Sequence, residues 1–543
     1  MSPRPTPELL YDVVIIGCGP VGAVAACLLG QRGLSTLIID RSHTIYDKPR
    51  AVALDHEIAR ILQNIGLGEA IKPHIEPFTA SEYFGVDGQL IKRLDMLPRP
   101  YPMGWTPSMV FMQPALEALL RRRLADLPSV KTEFGVELIG LNATPDSVTA
   151  RLSDASACTR DVRCRYLIGC DGASSSVRSY AGIGLDDLGF DQPWLVVDVL
   201  ANERGLARLP AVSTQYCEPA RPTTYVVCTG LHRRWEFQLL PGEDPRAMTT
   251  PDRVWSLLQR WIAPSEGELW RSASYRFHAL VANGWRRGRV FVAGDAAHQQ
   301  PPFLGQGFCQ GVRDVANLAW KLDRLVNAKS EDGLLDTYGT ERTGHVRRLH
   351  AVIKGIGEIV GERDVARARA RDARLVAETG GTVRSVPRQN LQPALEAGCL
   401  GTRPGSARGT LFPQPVVQHG SGSVLLDDLT GAVGRCVLDR TFPTVSAALR
   451  RRLAALDLIV VRLIGEANGG APEGDNDLAV READQVLATW FRTHECAAAI
   501  VRPDHYVFAT VRDEADLAVV LDDYMRAVAV LPLASTHPVS GKG

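Results

Sequence analysis

Tyr11-Asp-Val-Val-Ile-Ile-Gly-Cys-Gly-Pro-Val-Gly-Ala-Val-Ala-Ala-Cys-Leu-Leu-Gly30 decides the fold of this chain. Val13 to Ile16 is β-branched throughout, which suits a strand buried on both faces of a parallel sheet. Gly17, Gly19 and Gly22 follow in the spacing G-x-G-x-x-G, with Pro20 and Val21 between the last two. In that spacing the first glycine makes a tight turn and the second admits a pyrophosphate to the backbone. The third lets the following helix lie close on the strand. The helix start offers unpaired N–H groups and a positive dipole end to an anion. A second strand, 35–39, ends at Asp40, whose carboxylate suits ribose hydroxyls, and Arg41 follows it. One such glycine pattern is weak evidence; strand, glycines, helix, strand and acid in this order are strong.

The same stretch is apolar enough to be weighed as a signal peptide or membrane span, with Arg4 as a thin basic flank. Its four glycines, its proline, Asp12 before it and Gln31-Arg32 after it oppose that reading. A span needs about twenty predominantly apolar residues without such breakers. The 45% hydrophobic and 22% charged content describe an ordinary globular protein, and 543 residues imply several domains. Lys+Arg and Asp+Glu both number 61, so no bulk field favours nucleic acid or an anionic membrane surface. The eleven cysteines are scattered without a C-x-x-C pair, which points to a reducing cytoplasm and to no metal centre.

Further along, residues 1–10 read as a loose arm, and Asp47 to Asp55 as a loop carrying Arg50 into a helix over about 55–64. Phe111 to Leu120 reads as a helix with Gln113 and Pro114 in its first turn. Strand-like runs at 131–141, 147–152 and 161–168 lead to a turn at Asp171-Gly172. From about 185 to 280, short β-rich pieces between Pro- and Gly-containing turns suggest an inserted antiparallel sheet. At 288 a strand ends at Gly294-Asp295, followed by a loop through Pro301, Pro302, Gly305 and Gly307. A helix then starts with Phe308, Val312, Val315, Ala319 and Leu322 on one face. A helical region over about 332–378 follows, then a Gly-, Pro- and Arg-rich linker at 379–410 and a separate α/β tail. Gly355 to Gly361 is glycine-rich but wrongly spaced for a second dinucleotide site.

The fingerprint with Asp40, the Asp171-Gly172 turn, and Gly294-Asp295 with its proline and glycine sequel resemble the group A flavoprotein aromatic hydroxylases, the para-hydroxybenzoate hydroxylase family. Pro49 to Asp55, Asp191 to Asp198, Arg234 to Pro241 and Asn317 to Leu322 are similar to its 3-(3-hydroxyphenyl)propionate hydroxylase subgroup. The tail segment Val501-Arg-Pro-Asp-His-Tyr-Val507 resembles the thioredoxin-like domain such enzymes carry, here without C-x-x-C. The resemblance implies an α/β chain in five parts: a Rossmann-like FAD-binding domain in two pieces (1–184 and 284–378), an inserted antiparallel-sheet substrate domain (185–283), a linker (379–410) and the thioredoxin-like domain (411–543).

It also implies non-covalent FAD, with NADPH or NADH as electron donor and no second nucleotide domain. The pyrophosphate would lie at Gly17, Gly19 and Gly22, with Pro20 and Val21, and the adenosine ribose at Asp40 and Arg41. Arg50, Gln113, Asp171, Gly172 and Asp295 match further cofactor positions, as do Gly305, Gly307, Phe308 and Cys309 around the flavin. Pro302 would bring a backbone carbonyl to both substrate and flavin. Amides near Gly307 would face the flavin's pyrimidine edge. The chain departs from the family with Asp40 where Glu is more common and with Phe308-Cys309 in place of Met-Asn. Val52 stands where phenol hydroxylases have an acid, so no side-chain base is assigned.

The implied activity is hydroxylation of a small phenol by O2, with a 3-hydroxyphenylpropionate-like compound yielding a catechol. A larger polyketide-type phenol, a non-oxygenating flavin reductase and a flavin-binding scaffold are the alternatives. A homodimer is left open, and no nucleic-acid or membrane partner is expected. The tail holds no cofactor motif, so its removal is not expected to abolish flavin binding but to expose an apolar docking face.

Overall fold

The β-branched run at 13–16 is buried as its composition requires: Val13, Val14 and Ile15 expose none of their surface. In the computed structural model, which describes residues 11–327, 330–420, 422–465 and 477–528, this run is the middle of a parallel sheet. Strand Tyr11–Ile16 pairs with Thr36–Asp40 on one side and with Thr159–Gly169 on the other. Val130–Phe134 extends the first side and Val290–Val292 the second. The order reverses at Tyr11–Ile16, so a crevice opens at its carboxyl end, where doubly wound sheets bind nucleotides. Helix Pro20–Gly30 fills the space between helices Gln113–Ala125 and Gly307–Val326. The single strand expected at 131–141 is two, Val130–Phe134 and Val136–Ala143, parted by Gly135 at φ +72°.

The second sheet is antiparallel at its centre, as expected, with Gly267–Ala282, Leu185–Ala201, His232–Gln238, Thr223–Val227 and Ser213–Tyr216 side by side. It extends beyond the inserted segment 185–283. Ser81–Phe84 and Leu90–Asp95 come from earlier in the chain, and His298–Gln299 and Ser385–Pro387 from later. The stretch 379–410 is therefore not a bare linker. Ser385–Pro387 forms an edge strand beside Leu90–Asp95, and Gln389 donates to the carbonyl of Pro107. An edge strand needs backbone pairing rather than an apolar pattern, which hid it in the sequence. One face of the sheet is apolar: Leu195, Val197, Tyr225, Trp235 and Phe237 pack beneath helix Pro251–Leu258.

Helices Gly333–Gly361 and Val365–Glu378 cover the region expected to be helical, and Gly355 to Gly361 closes the first of them. The tail is an α/β unit of the thioredoxin-like kind. Arg435–Leu438 and Ile459–Leu463 are parallel, Ala498–Val501 and Val507–Val511 antiparallel, and helices Ala447–Ala455, Val486–Thr493 and Glu514–Val528 flank them. Its docking face is ionic as well as apolar. Arg60 donates to both oxygens of Asp427 (2.7 and 2.9 Å), and Arg435 adds a third contact at 2.9 Å. Arg502 pairs with Glu341 at 2.7 Å, and the Tyr506 hydroxyl donates to Glu57 at 3.0 Å. Residues 1–10 lie outside the described residues, and among those described no helix is long and apolar enough to cross a membrane.

Candidate active site

The glycines of the first turn differ in what constrains them. Gly17 sits at φ +99°, and a Cβ there would lie 2.5 Å from the carbonyl oxygen of Cys170. A Cβ on Gly22 would lie 2.0 Å from the carbonyl oxygen of Gly17, so helix and strand touch at that point. Gly19 has an ordinary φ of −71°, and a Cβ on it would meet nothing within 4 Å. Fold packing explains Gly17 and Gly22; at Gly19 bare backbone faces open space, as a pyrophosphate requires. Asp40 accepts from the Cys18 amide at 2.7 Å and the Ser42 amide at 2.8 Å, tying the second strand to the turn.

Beyond Gly19 lies a cavity of about 370 Å³ between the parallel sheet and the polar face of the antiparallel one. Its near wall holds Gly19, Pro20, Val21, Arg50, Gln113, Gly172, Asp295, Pro302, Gly305, Gly307 and Phe308. Gln113 receives the amides of Arg50 (3.0 Å) and Ala51 (2.6 Å), and Arg234 donates to the carbonyls of Pro49 and Arg50. The loop bearing Arg50 is thus held from both sides. Gly17, Gly22, Asp40, Arg41, Asp171 and Cys309 stand outside this wall. Asp171 braces the start of helix Ser176–Tyr180, accepting from its cap residue Ser175 and from the Val177 amide, while Arg41 is exposed. Cys309 is buried away from the cavity with its Sγ turned toward the carbonyl of Ala53, and burial pushes its thiol well up. Its thiol packs in the interior.

The Gly294-Asp295 turn is pinned by a group the sequence did not single out. Asp314, in helix Gly307–Val326, accepts from the Gly294 amide at 2.9 Å, from His298 at 2.8 Å and from Arg342 at 2.8 Å. Burial would raise its carboxyl, but His298 and Arg342 outweigh that and hold it low. Asp295 itself opens to the cavity while the fold encloses it, and that enclosure raises its carboxyl. The Pro302 carbonyl faces back into its own loop, accepting from the Gly305 amide at 2.7 Å. Phe308 stacks on Phe111 at 5.3 Å, and Gln306, just before the helix, is held by Arg313 at 2.9 Å. Asp55 accepts from the Glu57 and Ile58 amides and pairs with Arg313, so it is a cap and an anchor. Burial drops His56 to about 4, leaving it neutral at working pH.

The far wall consists of Ser81, Ser213, Gln215, Thr224, Val226, Arg234 and Glu236, with Phe78, Phe303 and Arg388 at its edges. His232, Tyr225 and Gln238, which the sequence offers as possible substrate contacts but more readily as structural residues, do not line the cavity. His232 is bonded to Asp198 at 2.7 Å, Tyr225 packs on Trp235 at 5.1 Å, and Gln238 donates to Gln192 at 3.1 Å. In a strand, neighbours point to opposite faces, so Thr224 and Val226 face the cavity and Tyr225 does not. The alternation of Arg234 and Glu236 with Trp235 and Phe237 was the available signal for the far wall. Arg388, from the supposed linker, lies 4.4 Å over the Phe78 ring and donates to Leu304 (2.8 Å) and Ser81 (3.2 Å).

These residues fit a flavin dinucleotide: an open glycine cradle, a helix start beside the cavity, and a carboxyl at the end of a strand. Residues 10–352 match the family model described as an FAD binding domain, and residues 409–527 that of the HcaD C-terminal domain. The chain is 35% identical over 533 residues to a probable NADH-specific resorcinol 4-hydroxylase of Rhodococcus jostii (strain RHA1), covering 97% of each chain. It is 32% identical over 512 residues to a 3-(3-hydroxy-phenyl)propionate/3-hydroxycinnamic acid hydroxylase of Mycobacterium sp. (strain KMS), covering 91% of this chain and 87% of that one. Among solved structures, the flavin-dependent monooxygenase PieE, in complex with FAD and substrate, superposes with a TM-score of 0.79. It is 22% identical, with 96% of this chain and 100% of PieE covered, which speaks to the fold.

Proposed function

The chain belongs to the FAD-binding-domain family of flavin-dependent aromatic hydroxylases, and we propose that it hydroxylates a single-ring phenol bearing a short carboxylated side chain, beside the existing hydroxyl. It is an NAD(P)H-dependent flavoprotein monooxygenase. When bound, FAD accepts hydride from the nicotinamide and delivers one atom of O2 to the ring. The observation that carries the substrate reading is the cavity itself. One wall is the dinucleotide turn and the start of helix Gly307–Val326; the other is a polar sheet face on which a phenol can lie. The two relatives described above are named for single-ring phenols, which favours these over a polyketide-type substrate.

Within this reading the chain's own groups have distinct tasks. Gly19 leaves room for the pyrophosphate, and the amides of Gly307 and Phe308 favour negative charge on the group beside them. Phe78 and Phe303 exclude water from the ring. Arg388 pairs with no carboxylate among the described residues, and burial lowers its pKa, so a substrate carboxylate would complete it. The FAD holoenzyme is assayed with NADH, air and either 3-(3-hydroxyphenyl)propionate or resorcinol. The expected outcome is a product carrying one added oxygen. NADH oxidation should rise about tenfold or more with the right phenol, equivalent to roughly 1.4 kcal/mol of barrier. NADH oxidation that yields peroxide alone with every phenol would refute the hydroxylase reading for these substrates.

A further inference from the structure

We propose that Glu236 is the group that takes the hydroxyl proton of the bound phenol, an inference that rests on the hydroxylase reading above. Its side chain points to the cavity from strand His232–Gln238, yet only 5% of the residue's surface is exposed. None of the described residues donates a hydrogen bond to its carboxylate, whereas the polar groups around it are committed. The Thr224 hydroxyl, on the paired strand, donates to Gln215 at 2.6 Å. Arg234 donates to Asp198 and to the carbonyls of Pro49 and Arg50. A buried carboxyl with unused acceptors is costly unless a ligand supplies the donor, and a phenolic O–H is such a donor.

The other acid–base candidates nearby are occupied. Asp55 is locked to Arg313, and Asp198 is surrounded by His232, Arg234 and Arg271. Asp295 belongs to the opposite, dinucleotide wall. The proposed step is a simple proton transfer. The phenol O–H bond breaks, an O–H bond forms on the Glu236 carboxylate, and the electron pair stays on the phenolate oxygen, enriching the ring for attack. No electrons leave or enter. The titratable and charged groups facing Glu236 are Arg234 on its own strand, Asp198 on the neighbouring one, and Arg50, Asp295 and Arg388 across the cavity. Burial dominates, and despite Arg234 it lifts the Glu236 carboxyl to about 7. A base at that value is half ionised near neutral pH, where general-base catalysis is most effective.

The test is single-turnover product formation by the FAD holoenzyme with 3-(3-hydroxyphenyl)propionate, from about pH 6 to 9. In the natural protein the rate should fall as pH drops through about 7, because Glu236 must be ionised to accept a proton. Glu236→Gln should be about a hundredfold slower at neutral pH, with the deficit closing as pH approaches the phenol's own ionisation. A ring-fluorinated analogue that is already ionised at neutral pH should recover most of the lost rate. A purely structural role would produce neither the pH-dependent recovery nor this rescue. An unaltered profile in Glu236→Gln, with product still formed, overturns the role of Glu236 and leaves the hydroxylase reading intact. Absence of product from the natural protein removes that reading and the Glu236 proposal together. Should Glu236→Gln lose its FAD, the natural protein still decides: a flat profile across this range overturns the proposal.

Discussion

Replacing Asp427 with asparagine should unseat the tail domain and weaken flavin retention without touching a cofactor residue. Asp427 exposes none of its side chain, and neither do Arg60 and Arg435, which donate to it at 2.7, 2.9 and 2.9 Å. The side-chain amide of Asn64 adds a contact at 3.2 Å. Burial would raise the Asp427 carboxyl, but the two guanidiniums and His505 outweigh it and hold the group well below the usual carboxylate range. Asparagine keeps the shape and one acceptor but removes the charge, leaving two guanidiniums buried face to face. Breaking one partner of a buried ion cluster costs roughly 3–5 kcal/mol. Arg60 lies in helix His56–Asn64, whose cap Asp55 holds Arg313 and, through it, Gln306 at the start of the cavity helix. The loss should therefore reach the flavin. The assay is urea unfolding followed by circular dichroism and by fluorescence of released FAD, with both transitions moving to lower urea. A change below about 1 kcal/mol, the scale of a solvent-exposed pair, would refute the reasoning. Replacing Asp427, Arg60 and Arg435 together by apolar residues of similar volume should restore most of the stability.

Gly19→Val should fold normally, since φ is −71° and no atom lies within 4 Å of the new Cβ, but bind FAD at least about tenfold more weakly. Gly22→Ala should instead lower the melting temperature of the apoprotein, because its Cβ would sit 2.0 Å from the Gly17 carbonyl; FAD titration and apoprotein melting separate the two. Arg388→Met should raise KM for 3-(3-hydroxyphenyl)propionate by an amount equivalent to about 1.5–3 kcal/mol, the worth of a hydrogen bond to a charged group. KM for resorcinol, which has no carboxylate, should hardly move, and equal increases for both would refute the assignment. Asp198 is held at about 2 because Arg234 and His232 outweigh its burial. A depressed carboxyl stabilises the fold above its unfolded value near 4 and loses that contribution as pH falls toward 2. Acid titration followed by circular dichroism should show stability dropping across this window, with a shallower slope in Asp198→Asn.

The dinucleotide turn was legible because its information is local. β-Branched residues at 13–16 mark a buried strand, three glycines at fixed spacing mark the turn, and each constraint acts within a few residues. The Asp295 turn and the helix beginning at 307 were legible for the same reason, and the family resemblance joined these pieces in order. The substrate wall was not. Residues 223–238 carry the alternation of two faces, but the sequence does not say which face meets the cavity, nor that Arg234 and Glu236 rather than His232 and Gln238 of the same parity lie over it. Arg388 was hidden because it follows an edge strand, Ser385–Pro387, in a Gly- and Pro-rich stretch, and that strand is defined by its partner Leu90–Asp95, not by its own pattern. Asp314 and Asp427 were invisible for a deeper reason. Arg60 and Asp427 are 367 positions apart, and whether such charges are buried and paired depends on which surfaces dock. Strand period and turn stereochemistry are written residue by residue along the chain. The burial of a charge and the identity of its partner exist only once distant segments have excluded water between them.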